Sequence, residues 1–528
     1  MVDGKPFFIV GGQVHNSSGY SSQSMEPAWK ALEALGANTA EIPVYWEQVE
    51  AEEGQFDFSE LDWIITDALI QDKKLVLLWF ATWKNGSMQY APGWVKQNPQ
   101  RFQPVVNPAG RPVWVLSSHC YATFEADRKA FCALLAHLKE HDAEHHIVIG
   151  IQIENEAGIL TCTRDYSPAA EQEFNSVVPV DLLDKISAVP NSALYLDWVK
   201  QGCPEGKNWG ETFGPHGDEY FSAWSIARYI DGIAEAGKQI YPLPLYTNAW
   251  LSGGGWRMPG VNYPSGGPTA NVIDLWKWYT PHLDLIAPDI YVEDADAYNQ
   301  VCQAYKREDN PLFVPESGSS LSNALNLFDA VGRWGAVGYA LFGVESILDA
   351  QDQVKPEAVQ TVASFHCLAN CAPLLLEYSG IERIYTVHQS EFMGEQFFEF
   401  DNYLGLVDFI GSDSPSIRSD FRHQPLDPAQ RGRGLIFTPS PHEFFLVGSG
   451  YRLLLKKKVS SPFEFSRSNA DFDLPLLDYL SVEEGHFDAE GRWMVDRRRN
   501  GDEITSGLWV TADVGVVHVV LNSLPTRS

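Results

Sequence analysis

Two stretches of the chain carry the residue types that acid–base and nucleophilic chemistry needs. In Val148-Ile-Gly-Ile-Gln-Ile-Glu154-Asn155-Glu156-Ala-Gly158 an apolar run ends in two carboxylates flanking an amide. In Pro311-Leu-Phe-Val-Pro-Glu316-Ser317-Gly318 a second apolar run ends in one acid before a glycine-bearing turn. Neighbouring residues of a strand face opposite ways, so Glu154 and Glu156 are expected on one side and Asn155 on the other, unless a bulge breaks the alternation. Two carboxyls ~5 to 5.5 Å apart suit a double displacement at a sugar's anomeric carbon, whereas ~6.5 to 9.5 Å leaves room for an attacking water.

These acids need a scaffold that brings distant segments to one place. From Phe7 to about Asn370, short runs rich in β-branched and aromatic residues alternate with longer stretches of helical periodicity, the pattern of repeated βα units. Eight strands are predicted: 7–11, 39–44, 74–80, 147–153, 244–248, 285–291, 311–315 and 336–342. Helices are predicted over 24–35, 59–71, 125–141, 220–237 and 321–334. This predicts a (β/α)8 TIM barrel, whose site gathers at the C-terminal ends of the strands, with strands four and seven facing each other across the mouth. The stretches from Thr161 to about Gly217 and from Leu251 to Pro268 follow strands and are read as loops walling that mouth.

Beyond Asn370 the helical period fades, and short strands bounded by turns are predicted at 434–438, 443–447, 451–456 and 508–522, suggesting a β-sandwich-like domain. The expected division is a catalytic barrel over 1–372 and a β-rich domain over 373–528. The length of 528 residues accommodates one large and one smaller domain.

Other strand ends supply binding candidates. Tyr45 and Trp46 close strand two, Trp83 and Asn85 follow strand three, and Asn248 and Trp250 close strand five. Asp289 and Tyr291 close strand six, and Phe342 with Glu345 closes strand eight. Aromatic rings here suit the apolar face of a pyranose and the polar groups suit its hydroxyls, with core packing the competing role of each aromatic. Tyr291, one strand before Glu316, is expected to hydrogen-bond to it. His15 follows strand one, and Glu154 is read as either a sugar ligand or a supporting partner.

Composition narrows the ligand. The chain carries 38 Lys and Arg against 69 Asp and Glu, a formal net charge of −31 that repels nucleic acid and anionic lipid. Aromatics reach 12%, with 17 Trp. The seven cysteines are an odd number at irregular spacing, which reads as buried thiols in a reducing compartment. No basic leader is visible and no apolar run reaches the ~20 residues of a membrane span, so a cytoplasmic location is expected. The His145-His146 pair precedes strand four, at the far end from the mouth. No metal site, and no nucleotide cofactor of the GxGxxG or GxxxxGK type, is therefore expected.

The chain resembles glycoside hydrolase family 35, a β-galactosidase family in the clan of retaining (β/α)8 glycosidases. Gly12-Gln-Val-His15-Asn16 resembles its first-strand segment, and Tyr45-Trp46-Glu47 with Glu53-Gly54-Gln-Phe56-Asp57-Phe58 its second. Gln152-Ile-Glu154-Asn155-Glu156-Ala-Gly158 resembles its acid/base segment, with Ala157 where many members carry tyrosine. PHEFFLVGSGY and EEGHFDAEGRW resemble the small β domain of a bacterial branch. The resemblance implies Glu156 as acid/base, Glu316 as nucleophile and Asn155 as donor to the sugar 2-hydroxyl. It implies an exo-acting retaining β-galactosidase on a carbohydrate substrate. A retaining β-glucosidase or transglycosylase on the same site, an inactive carbohydrate-binding barrel, and assembly into a homo-oligomer stay open.

Overall fold

The computed structural model describes residues 2–251, 257–380, 382–390, 393–409, 431–458, 477–499, 501–504, 507–511 and 515–522. Eight parallel strands form one sheet. They are β1 (Ile9–Gln13), β2 (Thr39–Tyr45), β3 (Lys74–Lys84), β4 (Val148–Asn155), β5 (Leu245–Trp250), β6 (Leu285–Ile290), β7 (Glu316–Ser317) and β8 (Gly338–Phe342). Their order is β8-β1-β2-β3-β4-β5-β6-β7. The sheet closes where Val337 N–H donates to Leu312 O and Ala340 N–H to Val314 O, both at 2.8 Å. Only two residues of the predicted seventh segment's neighbourhood are regular strand, because Pro311 and Pro315 lack the N–H a ladder requires.

A helix follows each strand: α1 (Ser22–Leu35), α2 (Ser59–Ile70), α3 (Tyr121–His141), α4 (Gly217–Ile240), α5 (Ile273–Tyr279), α6 (Ala295–Tyr305), α7 (Leu321–Phe328) and α8 (Val359–Tyr378). The first of them shows why. Ser21 accepts the Ser24 N–H at 3.1 Å to start it, and Gly36 at φ 71° ends it. Between these ends Met25, Ala28, Trp29, Leu32 and Leu35 recur at helical spacing and are buried against the sheet.

The segment from Thr161 to Gly217 is not the largely irregular loop expected of it. Pro168–Phe174, Val180–Ser187, Ala193–Lys200 and Trp209–Phe213 are helical, three of them capped by Ser167, Ser192 or Asn208 side chains. Of the loop from Leu251 to Pro268, residues 252–256 lie outside the described residues. The remainder pairs back on the chain after β4, with Ser265 N–H donating to Ile159 O and Ile159 N–H to Ser265 O.

The C-terminal part holds two antiparallel sheets. Ile384–His388, Arg433–Ser440, Glu443–Ser449, Val516–Leu521, Tyr479–Phe487 and Trp493–Arg498 form one. Glu395–Glu399, Tyr403–Asp408, Tyr451–Lys457 and Leu508–Val510 form the other. Phe400, Val407, Ile436, Leu446, Leu453 and Val519 are buried in the core they share. The strand expected over 508–522 is two strands, with 512–514 outside the described residues.

Helix α8 runs through residue 372 and packs on both parts: Phe365, Leu368 and Leu375 belong to one continuous core with barrel residues and with Leu435, Phe437 and Val447 of the sheets. Arg433 is buried there, donating to Ser364 Oγ at 2.8 Å and to Gln360 Oε1 at 2.6 Å. Among the described residues, the helical stretch Pro356–Tyr378 is the one long and apolar enough to cross a membrane, and half of it is buried inside the protein.

Candidate active site

The mouth of the barrel holds a cavity of about 1120 Å³ lined by Glu156, Asp289, Glu316, Tyr291, Trp250 and Phe342, among others. Oxygens of the Glu156, Asp289 and Glu316 carboxyls all lie within 4.8 Å of one another. Acids from the ends of β4, β6 and β7 therefore meet in one pocket.

The end of β4 departs from regular strand. Between Trp79 and Lys84 of β3 the chain takes five steps while β4 takes two, from Ile153 to Asn155. That bulge leaves the Thr82 and Trp83 N–H groups without strand partners, and Glu154 supplies them, accepting at 3.2 and 2.7 Å. Glu154 has φ 60° and Glu156 φ 47°, backbone angles that a regular strand never uses. The alternation expected of the triplet is broken. Glu154 is fully buried beside Asp127 of α3 and Tyr229 of α4, on the helix side of the sheet, and lies outside the cavity lining. Burial, and then the Asp127 charge, push its carboxyl well above the ordinary range.

Asn248 joins three strands at the site. Its Oδ1 accepts the Glu156 N–H at 2.8 Å, and its Nδ2 donates to Asp289 Oδ2 at 2.7 Å and to Asn155 Oδ1 at 3.2 Å. Gln152 Nε2 also donates to Asn155 Oδ1, at 3.1 Å. Both interactions fix the amide orientation and leave Asn155 Nδ2 buried with no acceptor from the protein.

Glu316 accepts from Tyr291 Oη at 2.7 Å and from Gln13 Nε2 at 2.8 Å. Its neighbour Glu156 is a different acid. Burial and then the Glu316 charge raise the Glu156 carboxyl to about 7, against the pull of Lys84. A proton-holding group thus faces a carboxylate held by two donors, which is the pairing that acid-assisted displacement requires. The three clustered carboxyls are also the described group whose geometry could hold a metal ion.

The remaining candidates divide. Trp250 and Phe342 line the cavity. Tyr45 is fully buried, stacked on Tyr20 with ring centres 3.9 Å apart, and donates to Asn16 O. Trp46 is buried with its indole N–H on Glu50, and Trp83 packs edge-on against Tyr229. These three serve the core, as large rings beside strand ends often do. His15 is exposed outside the cavity, its Nε2 2.8 Å from Ser346 Oγ. Gln13, Asn16 and Lys84 also belong to the site and were not among the expected binding residues; Gln13 closes β1 beyond the strand end expected at residue 11. Trp114 and Leu160 line an adjoining cavity of about 500 Å³ that shares Asn16, Lys84, Asn85 and Trp250 with the first. Trp114 stands exposed on a hairpin of Pro104–Val106 and Pro112–Leu116.

An eight-stranded parallel barrel with acids ending its fourth and seventh strands is the architecture of the barrel glycoside hydrolases. The pattern of the family described as beta-galactosidase, glycoside hydrolase family 42, matches residues 18–323. The chain belongs to that family, where its segments had resembled family 35. A second pattern, of a domain of unknown function, matches residues 361–511. No curated protein matches the chain.

Among solved structures, the chain is similar to the beta-galactosidase of Bacillus circulans sp. alkalophilus, at 15% identity and TM-score 0.50, over 71% of this chain and 58% of that one. It also matches Gan42B, a GH42 beta-galactosidase from G. stearothermophilus, at 17% identity and TM-score 0.48, over 71% and 57%. At such identity the first likeness speaks to the fold alone. The chain spans under three fifths of the length of these two structures.

Proposed function

We propose that this protein is an exo-acting retaining β-galactosidase that removes terminal non-reducing β-D-galactosyl groups by double displacement. The observation that carries the reading is the meeting of Glu156 and Glu316, with carboxyl oxygens within 4.8 Å, which supports the close pairing of retaining enzymes, ~5 to 5.5 Å, over the wider one of inverting enzymes. Glu316 attacks the anomeric carbon as a carboxylate while Glu156 delivers its proton to the departing oxygen. Water then enters as Glu156, now a base, takes its proton, and the ester to Glu316 breaks. Asn155 Nδ2, buried without a protein acceptor, supplies a hydrogen bond to the sugar 2-hydroxyl. Tyr291 and Gln13 hold the Glu316 carboxylate on its line of attack. Family membership supports the choice of galactose.

The test is a panel of β-galactoside, β-glucoside, β-fucoside and β-xyloside substrates with wild type, Glu156→Ala and Glu316→Ala. The galactoside is expected to be preferred, and each variant to lose at least ~10³-fold in kcat on a sugar leaving group. Azide is expected to rescue Glu316→Ala with formation of the α-glycosyl azide. A β-azide from that variant would assign Glu316 the acid/base role, and full activity of either variant would remove that residue from the mechanism.

A further inference from the structure

The pocket holds a third acid that the double displacement leaves without a task. Asp289 ends β6, is 3% exposed, and accepts the Asn248 Nδ2 on its Oδ2 at 2.7 Å. Its Oδ1 is buried and meets no N–H or O–H donor. What the carboxyl does meet is other carboxyls: oxygens of Glu156 and Glu316 lie within 4.8 Å of it and of each other. Carboxylates crowded in a dry pocket repel, so the cluster is favourable only when at least one of its members keeps a proton.

Taking the glycosidase reading as its basis, we propose that Asp289 is a positioning residue for the acid/base: it keeps a proton of its own and donates it as a hydrogen bond to the Glu156 carboxylate whenever Glu156 has given its proton away. In the first step the proton of Glu156 passes to the glycosidic oxygen, and the charge left on Glu156 is met at once by the Asp289 O–H. In the second step Glu156 takes a proton from water and the hydrogen bond relaxes. Asp289 itself transfers nothing, so atoms and charge balance as in the two-carboxyl scheme.

The groups around Asp289 favour its neutral form. Glu156 reaches it from the end of β4, Glu316 from β7, Tyr246 from β5, Tyr291 from just beyond its own strand and Tyr305 from α6, with the Lys84 cation of β3 opposing them. Burial, then the Glu316 charge, push Asp289 well above the ordinary carboxyl range. Asn248 meanwhile fixes the carboxyl plane, so that the free oxygen is the one that can carry the hydrogen.

The sign of a pH shift decides. A neutral donor favours ionised Glu156, so removing it in Asp289→Ala is expected to move the basic limb of kcat/KM to higher pH and lower kcat by ~10- to 10²-fold on a sugar leaving group. Asp289→Asn presents Oδ1 to Asn248 and an N–H to Glu156, and is expected to hold the limb where wild type has it and to lose less rate. If Asp289 were instead a charged carboxylate, both substitutions would move the limb to lower pH, and that result overturns the proposal.

Carboxyl ¹³C NMR of wild type needs neither activity nor a variant that folds: Asp289 is expected to remain protonated while Glu156 titrates, and Asp289 ionising first would sink the idea. Stoichiometric Mg²⁺ or Ca²⁺ binding with proton release from this pocket would likewise overturn it, by putting a cation where the proton is drawn. Should wild type cleave none of the glycosides, the functional reading fails, and the NMR titration still decides who holds the proton.

Discussion

Burial, and then the charge of Glu316 facing it, raise the Glu156 carboxyl to about 7. The free enzyme's kcat/KM is therefore expected to fall as pH rises through about 7, where Glu156 loses the proton it must donate. In the proposed double displacement the covalent intermediate removes that facing charge. Glu316→Gln imitates this state, and ¹³C NMR of the variant is expected to show the Glu156 carboxyl titrating at lower pH than in wild type; an unmoved titration would mean the two acids do not feel each other. Asn155→Ala is expected to lower kcat/KM at least ~10²-fold on a galactoside. On a 2-deoxygalactoside the variant and wild type should converge, because the hydroxyl that Asn155 would serve is absent. Glu156, Glu316, Tyr291 and Asn248 were legible as strand-end residues, since a barrel has to present those positions to its mouth. Tyr45, Trp46 and Trp83 sit at equally promising places, yet they fill the core: nothing in their spacing tells a ring that stacks on sugar from one that packs on Tyr20 or Tyr229.

The bulge in β3 explains why Glu154, open from sequence between sugar ligand and supporting partner, turns away from the cavity. Period-two alternation holds only while a ladder is regular, and here five residues oppose two. The extra length strands two N–H groups, and a buried acid caps them. Glu154→Ala is expected to cost ~1 to 3 kcal/mol in urea unfolding by orphaning both donors, without altering which sugar is cleaved. Glu154→Gln acts differently. The folded-state affinity of Glu154 for its proton is raised, so its contribution to stability is whole below the unfolded pKa and is lost as pH rises toward the folded one. The amide removes that dependence, and the variant's stability is expected to decline less than wild type's between pH 5 and 9. A steeper decline would count against the buried, proton-bearing pair with Asp127. Tightness recurs one turn later. Gly158 at φ 147° would place a Cβ 2.5 Å from Pro264, so Gly158→Ala is expected to displace the loop over the mouth and raise KM.

At the scale of the whole molecule, the change from period-3.6 to short-strand texture near residue 370 marked two kinds of structure, but it could not reveal that one helix serves both. Phe365, Leu368 and Leu375 of α8 are buried in a core that runs from the barrel into the C-terminal sheets. Phe365→Ala is expected to cost ~3 to 5 kcal/mol. Because the core is continuous, hydrogen exchange should show loosened protection in β1 and in Arg433–Ser440 together, whereas an effect confined to one side would mean two separable units. The same helix matters for how such a gene can be reshuffled. The pattern shared by relatives of the C-terminal part begins at residue 361, inside α8. A crossover in the connection after β8, ahead of Pro356, would pass the helix on with its sheets as one heritable package; a crossover a few codons later would leave both descendants holding half a spine.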